Sequence, residues 1–159
     1  MLYAKLYQSV DFASISIKDY LPALIDEIVA NFPRSRAISV TTDIADLVMD
    51  ASLLQSLGII TNELITNSMK YAWGDSQEAL LSVSVGTSDG AILLCVRDNG
   101  VGIPDAFDPA ASSGFGMRLI EGLARQKNGS FTIENDGGTR AVVRLEALPY
   151  SPVAGVNLV

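Results

Sequence analysis

The 159-residue chain contains no histidine. That removes a Ser-His-Asp triad, a histidine-ligated zinc, an imidazole general base and a phosphorylated histidine from anything this chain does by itself. Its one cysteine, Cys95, sits in the apolar run Ala91-Ile92-Leu93-Leu94-Cys95-Val96. An internal disulfide is therefore excluded, and Cys95 is expected to pack as a small buried hydrophobe in a reducing, cytoplasmic compartment. Cations are scarce as well. Eleven Lys and Arg against eighteen Asp and Glu leave a formal net charge of -7, the wrong sign for neutralising nucleic-acid phosphates, so no nucleic-acid partner is expected. No uncharged apolar run approaches the roughly 18 to 20 residues that span a bilayer, and the N-terminus lacks a basic stretch followed by an apolar signal core. The domain is expected to be soluble and to make no membrane contact, which is compatible with a membrane-anchored parent protein.

What is present is apolar: 48% of residues are hydrophobic, enough for one sizeable core at this length. Leu2, Leu6 and Val10 have helical spacing, and Phe12 to Ile17 alternates like a short strand. Asp19 to Phe32 predicts an amphipathic helix that Pro33 ends. Ala37 to Thr42 predicts a strand, with Ile44 to Met49 as its return partner. The longest helix runs from Asp50, an acidic cap, to about Ala72. Leu80 to Gly86 and Ala91 to Asp98 predict a hairpin, and Asn99 to Gly116 is too rich in breakers for regular structure. Met117 to Lys127 predicts a helix with Met117, Ile120 and Ala124 on one stripe, closed by Asn128-Gly129. Ser130 to Asn135 and Thr139 to Leu145 form a last hairpin. Hairpins interleaved with helices imply an α/β fold, a two-layer sandwich with helices on one face of a mixed, mostly antiparallel sheet.

Four segments carry chemistry. Within the long helix, Glu63, Asn67 and Tyr71 follow i, i+4, i+8, with Lys70 beside them, while Leu64, Ile65, Ser68 and Met69 face the sheet. A carboxylate next to a carboxamide oxygen suits a hard cation such as Mg2+; a solvated helix face explains the same residues. Asp98-Asn99-Gly100-Val101-Gly102-Ile103-Pro104 follows an apolar strand. A strand-end aspartate can accept from an exocyclic amine, and glycines let backbone approach a flat ring; a plain turn is the alternative. Gly114-Phe115-Gly116 precedes the helix of Met117-Arg118, whose first amides suit phosphate oxygens, with charge from Arg118 or Lys70. It lacks the Lys-Ser/Thr of a P-loop and does not follow a strand as a Rossmann motif does. Gly137-Gly138-Thr139 adds a hydroxyl at the last hairpin.

Taken in order, these segments resemble the ATP-binding superfamily shared by gyrase, Hsp90, MutL and histidine kinases. Within it they resemble the catalytic and ATP-binding domain of a sensor histidine kinase. The resemblance spans roughly Ser52 to Leu145 and looks closest to the HWE-related subclass with a short ATP lid, on "NELITNSMKYAW", "DNGVGIP", "GFGMRLI" and "GGTRAVVRL". The opening "KLYQSVDFASISIKDYL" is similar to that subclass's junction between dimerisation helix and catalytic domain. The resemblance implies a Bergerat-type fold, with residues 1–12 ending a dimerisation helix or linker, 13–149 forming the catalytic domain and 150–159 a tail. It implies ATP and Mg2+ as cofactors, with Asn67 as metal ligand and Glu63 as the catalytic acid that positions or deprotonates the nucleophile. Lys70 would contact phosphate, Tyr71 flank the adenine and Asp98 accept from its amino group. Gly100 and Gly102 would shape the base pocket, Gly114 and Gly116 would flank the end of the lid and admit the phosphates, Thr139 would approach the adenine through water, and Ile103, Phe115, Met117 and Arg118 would complete the cofactor-binding set. The lid, Pro104 to Gly114, is about eleven residues long, and only Phe107 stands for the phenylalanine box of longer-lidded kinases.

The function so implied is presentation of the ATP γ-phosphoryl group to a histidine outside these residues. The partners would be the phosphoacceptor and dimerisation domain of a homodimeric parent kinase and a response regulator. An anti-sigma-like serine kinase or a nucleotide-dependent protein-binding regulator is the competing reading.

Overall fold

A computed structural model describes residues 15–33, 38–74, 78–103 and 115–146. The helix expected over residues 1–10, the tail 150–159 and the stretch 104–114, with Gly114 and Phe107, lie outside the described residues.

Helix α1 (Ile17–Ala30) buries Ile17, Tyr20, Leu21, Leu24, Ile25, Ile28 and Val29, a run of three- and four-residue steps that gives it one apolar stripe. It ends where the Asn31 amide donates back to the Ile28 carbonyl and the Phe32 amide to that of Val29, just before Pro33. Helix α2 (Ala51–Tyr71) opens as its sequence implies: Asp50 Oδ1 accepts from the Leu53 amide at 2.8 Å. Its buried stripe is broad, from Leu53 and Leu54 through Ile60 and Thr61 to Ser68 and Met69, because it packs on α1 and also on the sheet.

The main sheet has the order β2-β4-β5-β7-β6, built from β2 (Ile38–Ile44), β4 (Ala79–Ser88), β5 (Ala91–Asp98), β6 (Ser130–Asn135) and β7 (Thr139–Glu146). Only the β2–β4 pair is parallel among these neighbours; the other three are antiparallel. The parallel pair follows from chain length, since α2 lies between the two strands and carries the chain back to the starting end. Alternation sends Leu81, Val83, Val85, Ile92, Leu94, Val96, Ala141, Val143 and Leu145 into the helix-covered core. The fold is the expected sandwich of helices on one face of a mixed sheet.

Two details differ from expectation. Ile44 continues β2, and the segment after it does not fold back: β3 (Val48–Met49) pairs with β1 (Ile15–Ser16) in a separate two-stranded sheet. The Ile17 amide donates to the Leu47 carbonyl at 3.0 Å, and this route buries Leu47 and Met49 in the core, which pairing on the open edge of β2 would not do. Cys95 lies half-buried on the open sheet face, because its neighbours Leu94 and Val96 take the inner positions.

Helix α3 (Phe115–Gln126) buries Ile120 and Ala124 fully, with Met117 partly buried beside them, the stripe its sequence implies. Its end is closed by the Gly129 amide donating to the Ala124 carbonyl at 2.8 Å, with Asn128 at φ 54. Lys127 Nζ then donates to Ser52 Oγ at 2.8 Å. The end of α3 thus meets the start of α2, so the two helices run antiparallel and the N-terminus of α3 falls beside the second half of α2.

Candidate functional site

The register of β5 decides where the chemistry sits. Asp98 follows Val96 by two residues and pairs across from Leu81, so its side chain faces inward beneath α2 and is 4% exposed. A carboxylate buried this deeply needs partners. It has three donors: the Gly100 amide at 2.9 Å and the Thr139 amide at 3.0 Å on Oδ1, and the Ser68 hydroxyl at 2.7 Å on Oδ2. One oxygen is committed to backbone. The other holds a single hydroxyl and has acceptor capacity left.

The loop after β5 is tied on three sides. Asn99 Oδ1 accepts from Trp73 Nε1 at 2.6 Å and from the Leu80 amide at 2.9 Å, while its Nδ2 donates to the Glu78 carbonyl at 3.0 Å. The Val101 amide donates to the Ala72 carbonyl at 2.8 Å, and Gly100 lies so close to Ala72 that a Cβ would overlap its carbonyl. Asn135 brackets Ile103: Oδ1 accepts the Ile103 amide at 2.7 Å and Nδ2 donates to its carbonyl at 2.8 Å. Gly102, at φ +81, turns the chain into that bracket, and a side chain there would strike Asn135 Oδ1. Asp98, Gly100, Gly102, Ile103 and Thr139 thus form one connected floor.

The helix-borne residues form a second group. Glu63 and Asn67 are half-buried, one turn apart on α2. The start of α3 rests on them: a Cβ on Gly116 would collide with Glu63 Oε1, and Asn67 Nδ2 points at Met117 Sδ from 4.0 Å. Sulfur is a weak acceptor, so the Asn67 carboxamide oxygen remains the strong donor atom available to a cation. No group of three or more His, Cys, Asp and Glu suited to a metal occurs among the described residues. The set fits Mg2+, which takes one or two protein oxygens and completes its shell with phosphate and water.

Lys70 is exposed and Tyr71 is 71% exposed at the end of α2, as is Val101 at 76%. Arg118 is exposed and lines an open groove of about 550 Å³ along α3 with Leu119, Gly122, Leu123 and Gln126. Phe115 is described only as the first residue of α3. Ser68 and Asn135 were not marked by their sequence context as site residues. The signal for Ser68 was a hydroxyl on the buried stripe of α2; Asn135 resembles any polar residue before an Asp-Gly-Gly turn.

The family model for histidine kinase-, DNA gyrase B- and HSP90-like ATPases matches residues 54–149, a span that contains both groups. The chain belongs to this ATPase family. It is 32% identical over 68 residues to an anti-sigma F factor of Geobacillus stearothermophilus, covering 43% of this chain and 47% of that protein. It is 26% identical over 127 residues to the nitrate/nitrite sensor protein NarQ of Escherichia coli (strain K12), covering 79% of this chain and 22% of that protein. The chain therefore spans half or less of the length of these curated relatives. The histidine kinase domain of a blue-light activated histidine kinase from Erythrobacter litoralis has the same fold, with a TM-score of 0.77 at 21% identity over 89% of this chain and 70% of that one. Among the described residues, no helix is long and apolar enough to cross a membrane.

Proposed function

We propose that the chain is the nucleotide-holding catalytic domain of a sensor histidine kinase, with its bounds near residues 13 and 149. The observation that carries the reading is the buried Asp98 carboxylate, fixed by three donors and facing the helix-covered side beneath the α2 turns that also bear Asn67 and Glu63. Such a carboxylate accepts from the amino group of adenine, and Asn67 holds the Mg2+ that neutralises the phosphates. The first turn of α3 and Lys70 receive phosphate oxygens. Phosphoryl transfer asks mainly for position and charge stabilisation. The neutral imidazole of the acceptor is itself the nucleophile, so Glu63 serves to orient it. The chain has no histidine, so the phosphoacceptor lies outside it, and the response regulator is a further partner.

The match to anti-sigma F factor favours a second reading, a kinase or regulator acting on a serine-bearing protein. Phosphotransfer separates the two. With Mg-ATP and a histidine-bearing dimerisation segment supplied in trans, the first reading expects acid-labile phosphate on that segment and none on the isolated chain. Acid-stable phosphoserine on a partner would establish the second. Absence of ATP binding in calorimetry would defeat both.

A further inference from the structure

We propose that Ser68 is a specificity-determining residue, which makes the floor of the pocket accept hydrogen bonds only and so selects a purine with an amino group over one with a carbonyl at the same position. The proposal rests on the nucleotide-binding reading above and adds to it a determinant beyond Asp98.

A buried hydroxyl on a helix ordinarily bonds back to its own backbone. Thr61, on the same stripe of α2, does so: its Oγ1 donates to the Leu57 carbonyl at 2.7 Å. Ser68 turns away from its helix and donates across to Asp98 Oδ2 at 2.7 Å, with both residues under a tenth exposed. A serine has one proton to give, and here it is spent on the carboxylate. What the pair still offers is lone pairs, on Oδ2 and on Ser68 Oγ, since Oδ1 is held by the Gly100 and Thr139 amides. An exocyclic amine finds an acceptor there. A carbonyl finds none of the donors it needs unless Ser68 withdraws its proton from Asp98, which strips the carboxylate of a bond as the base gains one. A site built to accept a hydrogen bond discriminates strongly against an analogue that cannot donate it. The place of Ser68 one residue after Asn67 ties this choice to the turn of helix that holds the cation.

The test compares ATP with inosine triphosphate, which carries a carbonyl at C6 and a proton on N1 where ATP has an amine and a bare ring nitrogen, as magnesium complexes in calorimetry. The wild-type chain is expected to prefer ATP. Ser68→Ala leaves room for a water that can turn to suit either base, and Ser68→Cys keeps the bulk while offering only a weak donor. Each is expected to cut the ATP preference about tenfold, the scale of one hydrogen bond to a charged group. Melting without nucleotide verifies that both variants are folded, and the preference is a ratio within one protein, so a general loss of stability does not move it. Retention of the wild-type preference in either variant overturns the proposal, as does a wild-type chain that binds both nucleotides equally. If the wild type binds neither nucleotide, the underlying reading fails instead. If Asp98→Asn loses the preference while Ser68→Ala keeps it, only the role of Ser68 fails.

Discussion

The two halves of the site are built differently. Around Asp98 the anchoring contacts are already made, with acceptor capacity left only on Oδ2: a carboxylate 4% exposed, three donors within 3.0 Å, and a loop pinned to α2, β4 and β6. Around Glu63 and Asn67 the side chains are half-buried, and the contact across to α3 is a 4.0 Å approach of an amide to a thioether. A rigid base recognises one shape of ligand without paying to order itself, as preorganisation requires. A phosphate group and its cation bring strong charges of their own, so that side can be completed by the ligand. On the proposed nucleotide-binding reading, the floor therefore serves folding and recognition together, while the helix face serves recognition and chemistry alone.

Breaking the floor tests this first. Asp98→Ala leaves two amides and a buried hydroxyl without their acceptor, and should cost about 3 kcal/mol of stability in denaturant unfolding as well as abolishing nucleotide binding. Asn67→Ala should separate the two effects. Its stability should stay within about 0.5 kcal/mol of wild type, as for other sites without buried partners, while magnesium-dependent ATP affinity in calorimetry falls more than about tenfold. Equal stability losses in the two variants would erase the contrast. Gly116→Ala is subtler. Its new methyl group must push the Glu63 carboxylate aside, and Glu63 has room to move because it is half-exposed. Stability should change by under about 1 kcal/mol, the scale of the glycine-to-alanine helix propensity gain, with phosphotransfer falling more than ATP affinity.

The same contrast governs what was legible in the sequence. The strands and helices follow from period-two and period-3.6 patterns, and Asp50 as a cap is readable at sight. Asp98 is legible too: stepping by two from Ile92 through Leu94 and Val96 lands a carboxylate on the core side, a position that demands partners. Those partners are not legible. Ser68 lies 30 residues away and the Thr139 amide 41 residues away, and only the docking of α2 and of the last hairpin onto the end of β5 brings them in. The pairing of β3 with β1 was missed for a related reason. Local alternation shows that Leu47 and Met49 seek burial but not on which side of the chain the burial lies.

A few-fold effect on nucleotide affinity is expected at the seam between the halves, where Asn135 brackets Ile103, the last described residue before 104–114. Its two hydrogen bonds, at 2.7 and 2.8 Å, are solvent-exposed, so water can replace either partner and each contributes at the low end of the usual range, about 0.5 kcal/mol. Asn135→Ala should therefore cost about 1 kcal/mol in unfolding. Asn135→Asp keeps the acceptor for the Ile103 amide and loses only the donor to its carbonyl, so it should fall midway. Nucleotide affinity should drop a few-fold in the alanine variant, because Gly102 is turned toward the floor by this bracket. An alanine variant as damaged as Asp98→Ala would mean that the bracket carries the floor, and that rigidity there comes from the loop's outer tie rather than from the buried carboxylate.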